Sequence, residues 1–146
     1  MNNGQTLNLL NRLLAIQQRS FPMYLCSAPP FAGEPDPKAS ETLAQIVEDQ
    51  TGMAKRIISL ILSSGGQPES GDFPMEFTDM HDLTIDFIVR RAVGYQVQDI
   101  ASVNACVDAS RLVPTAHALA EEALGMAKGH LESLEEAAVG NVSTAL

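Results

Sequence analysis

Tryptophan is absent from this 146-residue chain, and aromatic residues make up only 5% of it. A core must therefore be filled by Leu, Ile, Val, Ala and Met, which suits helix packing better than a β-sandwich. Cysteine is nearly as scarce. Cys26 and Cys106 form no C-x-x-C pair and no metal-like cluster, which argues against a disulfide framework or a zinc site and leaves two buried, reduced thiols as the expectation. Basic residues are outnumbered, with nine Lys and Arg against eighteen Asp and Glu and a net charge of −9. Such a field repels phosphate backbones and anionic lipid, so neither nucleic acid nor a membrane surface is expected as a partner. The longest apolar run, around Ile57 to Leu62, is interrupted by Ser59 and is too short to span a bilayer. Met1-Asn2-Asn3-Gly4 lacks the basic and apolar regions of a signal peptide. A soluble, cytoplasmic protein is expected, with residues 1–146 forming a single domain.

What is present is helical periodicity. Leu7, Leu10, Leu14, Gln17, Phe21 and Tyr24 recur on one face of a first helix from about Gln5 to Ser27, with a kink expected at Pro22. The Pro-rich stretch from Pro29 to Pro37 breaks the chain. A second helix begins near Asp36-Pro37 or Ser40, carries Leu43, Ile46 or Val47, Gln50, Met53 or Ala54, Ile57 and Ile61 on its stripe, and ends at Gly65-Gly66. The loop over residues 65–78 carries Phe73, Met75 and Phe77, as a segment strapped to a bundle would. A third helix is expected from Thr78 or Asp79 to about Ala109, its inner stripe being Leu83, Phe87, Gly94, Val97 and Ala101. Asp79 and Asp82 would then suit the positive end of its dipole. Pro114 opens a fourth helix with Ala116, Ala120, Ala123, Ala127, His130 and Leu134 at helical spacing, closed by Gly140 and followed by a frayed tail.

The two helix pairs repeat one spacing. Gln17 and Gln50 lie 33 residues apart, as do Gly94 and Ala127, and Met53 and His130 each follow three residues after the later member. In antiparallel pairs with short connections, each couple falls at one height. A loop of about 14 residues spans roughly 45 Å at full extension, enough to return along a helix of about 25 residues and roughly 37 Å. The topology this implies has one long crossover between the second and third helices, unlike simple up-down-up-down.

With this spacing, this crossover and segments such as Gln45-Ile46-Val47-Glu48-Asp49-Gln50 and Lys128-Gly129-His130-Leu131-Glu132, the chain resembles the ferritin-like superfamily, nearest to the bacterioferritin and rubrerythrin type. The resemblance covers about Leu7 to Ala137 and implies an all-α, ferritin-like antiparallel four-helix bundle. It also implies a two-metal site in which one Glu from each of two helices and Glu-x-x-His from each of the other two project inward. In this sequence the corresponding positions are Gln17, Gln50 with Met53, Gly94, and Ala127 with His130. Of six ligands only His130 is retained, and no bridging carboxylate remains.

Carboxylates are needed there because they bridge hard cations and absorb their charge. Their loss argues against di-iron chemistry, so no metal and no other cofactor is expected. Glu48, Asp49, Glu121 and Glu122 fall on the flanks of the apolar stripes, where solvated charges belong. His130 reads as a core histidine hydrogen-bonded to Gln17, Gln50 or a backbone carbonyl, against the alternative of a soft-metal pair with Met53. His81 and His117, near helix starts, are expected to be exposed. The small residues Gly94 and Ala127 leave room for a pocket lined by Gln17, Gln50, Met53, Gly94, Ala127 and His130, able to hold water or a small polar ligand. The role expected is a non-catalytic bundle acting in binding or assembly as a homodimer. The alternatives are iron-handling or redox chemistry with displaced ligands, and a small-molecule binder in the vacated centre.

Overall fold

The computed structural model describes residues 1–27, 37–79 and 84–144, without the side chains of residues 27 and 139–144. Its elements are α1 (Asn3–Gln18), α2 (Phe21–Ser27), α3 (Pro37–Ser63), a 3₁₀ turn (Met75–Asp79), α4 (Ile85–Ala109) and α5 (Pro114–Thr144), with no strand among the described residues. No helix among them is long and apolar enough to cross a membrane.

Local chemistry sets the helix ends. Asn2 and Gln5 form a reciprocal capping box at the start of α1, Asn2 Oδ1 accepting from Gln5 N–H at 2.8 Å and Gln5 Oε1 accepting from Asn2 N–H at 3.0 Å. The expected kink at Pro22 is a complete break two residues earlier. Ser20 turns its side chain inward and its Oγ accepts the Met23 N–H at 3.3 Å, capping a new helix in which Pro22 sits within the first turn, where no amide donor is required. Helix α3 runs from Pro37 to Ser63 and is closed by Gly65, whose φ of +83° only glycine adopts cheaply. The Gly65 and Gly66 amides donate to the carbonyls of Leu62 and Ile61, a full Schellman closure.

Two apolar clusters fix the topology. One joins Leu9–Leu14 of α1 to Met53–Ile61 of α3, Val103–Val107 of α4 and Ala116–Ala123 of α5. The other joins Phe21 and Leu25 to Leu43 and Ile46, Ile88 to Tyr95, and Leu134. Helices α1 and α5 therefore run one way, α3 and α4 the other, and every adjacent pair is antiparallel. The crossover from α3 to α4 spans the bundle end to end, as the sequence requires.

That crossover is strapped down along α1. Asn11 donates from Nδ2 to the Gln67 carbonyl at 3.1 Å and accepts the Glu69 amide at 2.7 Å. Arg19 donates to the Gly71 carbonyl at 2.6 Å while stacking on the Phe73 ring. Gly66 passes so near that a Cβ there would lie 2.5 Å from Leu7 Cδ2. Phe77 packs 5.2 Å from Phe21 and 4.9 Å from Tyr95, ring centre to ring centre. Met75, expected to join them, is 84% exposed.

Other expectations are corrected. The third helix begins at Ile85 behind Thr84, with Asp86 as its first-turn acid, and Asp79 belongs to the 3₁₀ turn. Leu83, Asp82 and His81 lie outside the described residues, as does most of the Pro29–Pro37 stretch. Gly140 does not close α5, which continues to Thr144 because a glycine with ordinary helical φ costs a helix only about 1 kcal/mol. Cys26 is exposed and only Cys106 is buried, both as free thiols.

Candidate functional site

Between the two apolar clusters lies a layer of buried polar side chains: Gln17, Ser20, Gln50, Gln96 and His130. Each is held inward by the apolar stripe of its own helix, so burial follows from neighbours above and below. The energetic demand is that each polar atom find a partner.

Within this layer, polar links cross three helix–helix seams. Ser20 Oγ donates to Gln50 Oε1 at 2.6 Å, joining the α1–α2 break to α3. His130 Nε2 meets Asp49 Oδ2 at 2.8 Å, joining α5 to α3. Gln96 Nε2 donates to the Ala127 carbonyl at 2.9 Å, joining α4 to α5. Asp49 is held in turn by Gln45, whose Nε2 donates to Oδ1 at 2.9 Å. Among the described residues, two buried side-chain atoms have no protein partner, Gln17 Oε1 and His130 Nδ1.

Set against the sequence reading, Gln17, Gln50, Met53, Ala127 and His130 are all buried. Gly94 is not. It faces solvent, and a Cβ there would meet nothing within 4 Å. The inward residues of this stretch are Ala92, Tyr95 and Gln96. The misplacement has a physical origin: α4 carries apolar residues on several sides (Phe87, Val93, Val97, Ile100), so periodicity leaves its phase open and the 33-residue repeat selected the wrong one. Val97, expected inward, is 53% exposed for the same reason. Gln96 was missed because, with the phase of α4 open, its place on the inner stripe could not be read.

His130 was expected to bond Gln17, Gln50 or a carbonyl. Its partner is Asp49, which sits on the flank of the α3 stripe with its side chain 35% exposed, just able to reach inward. Outside this pair, a cleft of about 280 Å³ runs along the α3–α5 seam past Thr42, Gln45 and Ser133. His117 is half-buried, not exposed. Its Nδ1 lies 3.0 Å from the Val107 carbonyl and its Nε2 2.7 Å from Glu121 Oε1, fastening the short α4–α5 turn beside the buried Ser110.

The donor set does not fit a pair of divalent metals. The layer supplies neutral amides, one hydroxyl, one imidazole and one half-exposed carboxylate already bonded to that imidazole. Among the described residues no three His, Cys, Asp or Glu side chains come together as a metal site. Hard divalent cations take oxygen ligands that include carboxylates, and amide oxygens carry no charge to balance them.

No protein-family model matches the sequence, and no curated protein is similar to it. Solved structures are. A bacterioferritin-related dodecameric thioferritin from Bacteroides fragilis superposes with a TM-score of 0.79 at 13% identity, over 99% of this chain and 90% of its own. A ferritin-like, di-iron-carboxylate protein from Bacillus anthracis str. Ames superposes with a TM-score of 0.75 at 15% identity, over 94% of this chain and 99% of its own. Helix directions, the end-to-end crossover and these superpositions agree: the chain has the ferritin-like fold.

Proposed function

We propose that this chain is a ferritin-like bundle without a two-metal centre, which serves in binding or assembly as a cytoplasmic homodimer and catalyses nothing itself. The observation that carries this reading is the make-up of the midplane. The side chains buried in that layer include the neutral Gln17, Gln50 and Gln96 and the small Ala127, with Gln50 Oε1 and Gln96 Nε2 already committed to hydrogen bonds. Two divalent cations would bring charge into a low-dielectric layer with one carboxylate to offset it, at a cost of several kcal/mol or more.

Self-association is supported by the fold neighbour described as a dodecamer. The net charge of −9 makes it sensitive to salt, because like-charged copies repel less when screened.

Metal analysis after incubation with excess Fe(II) and desalting tests the central claim. The expected result is little retained iron, unchanged by substitution of His130. Retention of about two irons per chain, the loading of a carboxylate-bridged pair, would overturn it. Sedimentation velocity at low and high salt checks the assembly claim, a monomer throughout being the contrary outcome.

A further inference from the structure

Lys and Arg number only nine in this chain, against eighteen acids. Arg56 is paired with Glu122 and Arg111 with Asp108. Arg19 and Lys55 have no carboxylate within ion-pair distance among the described residues, yet both line one cleft of about 490 Å³. The cleft lies at the break in the first helical segment. Helix α1 ends at Gln18 and α2 starts at Phe21, so the chain steps aside there and leaves a hollow against α3. Thr51, Lys55 and Ile58 form the α3 wall, at the i, i+4, i+7 spacing of one helix face, and Gln18 and Met23 stand opposite.

Arg19 is held in place before any ligand arrives. Its Nε donates to the Gly71 carbonyl at 2.6 Å, and its guanidinium lies over the Phe73 ring, 5.1 Å from the centre. Folding has thus already ordered this side chain, and its Nη protons have no acceptor among the described residues. Thr51 adds no donor, because its hydroxyl donates to the Val47 carbonyl at 2.7 Å. The charged donors are therefore Arg19 and Lys55, and Met23 and Ile58 make the wall beside them apolar. An inorganic dianion would set a strongly hydrated ion against that wall, and a neutral alkane would leave the two cations without an acceptor. A monoanion with a short alkyl tail meets both demands. We propose that this cleft binds a small aliphatic carboxylate, its head group held by Arg19 and Lys55 and its tail laid against Met23 and Ile58.

The size of the cleft is that of a small-molecule site, which typically measures about 300–1,000 Å³. Two other clefts differ in kind. The one beside His130 is edged by Glu41, which repels an anion. The one beside Cys26 is lined by Leu25, Leu43 and Val47 and has no charged side chain. None of the residues assigned to the carboxylate belongs to the buried polar layer, so the site stands whether or not that layer is free of metal.

NMR titration of the full-length, ¹⁵N-labelled chain with hexanoate tests this. Saturable shifts are expected at the amides of Gln18, Arg19, Thr51 and Lys55. Hexanamide has the same tail without the charge, and inorganic phosphate has charge without the tail. Both are expected to bind more weakly than hexanoate. Lys55→Gln, at an exposed position, is expected to keep the fold and to weaken hexanoate binding roughly fivefold, the order of one exposed ion pair. No saturable shift, or shifts confined to other faces of the bundle, overturns the proposal. So does hexanamide or phosphate binding as tightly as hexanoate, or an affinity that Lys55→Gln leaves unchanged. Iron retention at the midplane is read separately, so failure of one claim does not pass for failure of the other.

Discussion

Ser20→Ala offers a sharp test of how the polar midplane is held together. The hydroxyl caps α2 through the Met23 amide at 3.3 Å and donates to Gln50 Oε1 at 2.6 Å, with Ser20 only 3% exposed. The cap is long, which places its loss at the low end of the usual range, about 0.5–1 kcal/mol. The second loss is larger. It leaves the Gln50 oxygen without that donor, and a buried unsatisfied acceptor costs about 1–3 kcal/mol. Together they give about 1.5–4 kcal/mol, and a melting temperature lower by on the order of 10 °C for a chain of this size. The two parts separate in a double-mutant cycle. On a Gln50→Leu background no acceptor is stranded, so Ser20→Ala should cost only the cap, about 0.5–1 kcal/mol. Urea unfolding followed by circular dichroism, with m-values compared across the four proteins, reads the difference. A cost below about 0.5 kcal/mol in the parent, or equal costs in both backgrounds, would refute the cross-tie and reduce the midplane to apolar packing.

Two further substitutions test the phase of α4. Gly94→Glu, on an exposed surface with open space about it, is expected to be neutral or stabilising by up to about 1 kcal/mol, since glycine is the weaker helix former. Ala127→Glu, at a position only 6% exposed, is expected to cost about 3 kcal/mol or more as an uncompensated buried charge. Chemical denaturation of both checks the pair, and the opposite order of stabilities would restore Gly94 to the interior. The thiols should also differ. Cys26 is exposed and should react with an aromatic disulfide reagent in the native protein. Cys106 is fully buried, with its thiol pushed up by burial and only partly offset by Arg12, and should react only on unfolding. Equal rates for the two would contradict the packing of α4 against α1.

The contrast between α4 and α5 shows where the sequence is sufficient and where it is not. In α5 the small apolar residues Ala116, Ala120, Ala123 and Ala127 lie on one side and charges on the others. A single phase satisfies burial, and every residue of that stripe, His130 and Leu134 included, is buried. The stripe of α3 is legible for the same reason. In α4 apolar side chains surround the helix, so several phases bury comparable area. The choice falls to contacts with other helices, which put Gln96 inside and Gly94 out.

Hydrogen-bond partners follow the same division. That Gln17, Gln50 and His130 are buried can be read from their place in periodic stripes. That His130 meets Asp49 cannot, because it depends on a flank residue 81 positions away reaching just far enough inward.

The sequence by itself determined the all-helical make-up, the antiparallel pairing and the full-length crossover, because periodicity and loop length constrain these without reference to distant residues. Only the tertiary structure decided the rotation of α4, the break at Ser20 and the links across three seams. Each of those depends on which atoms of different helices come within a few ångströms, and the order of residues along one chain does not encode that distance locally.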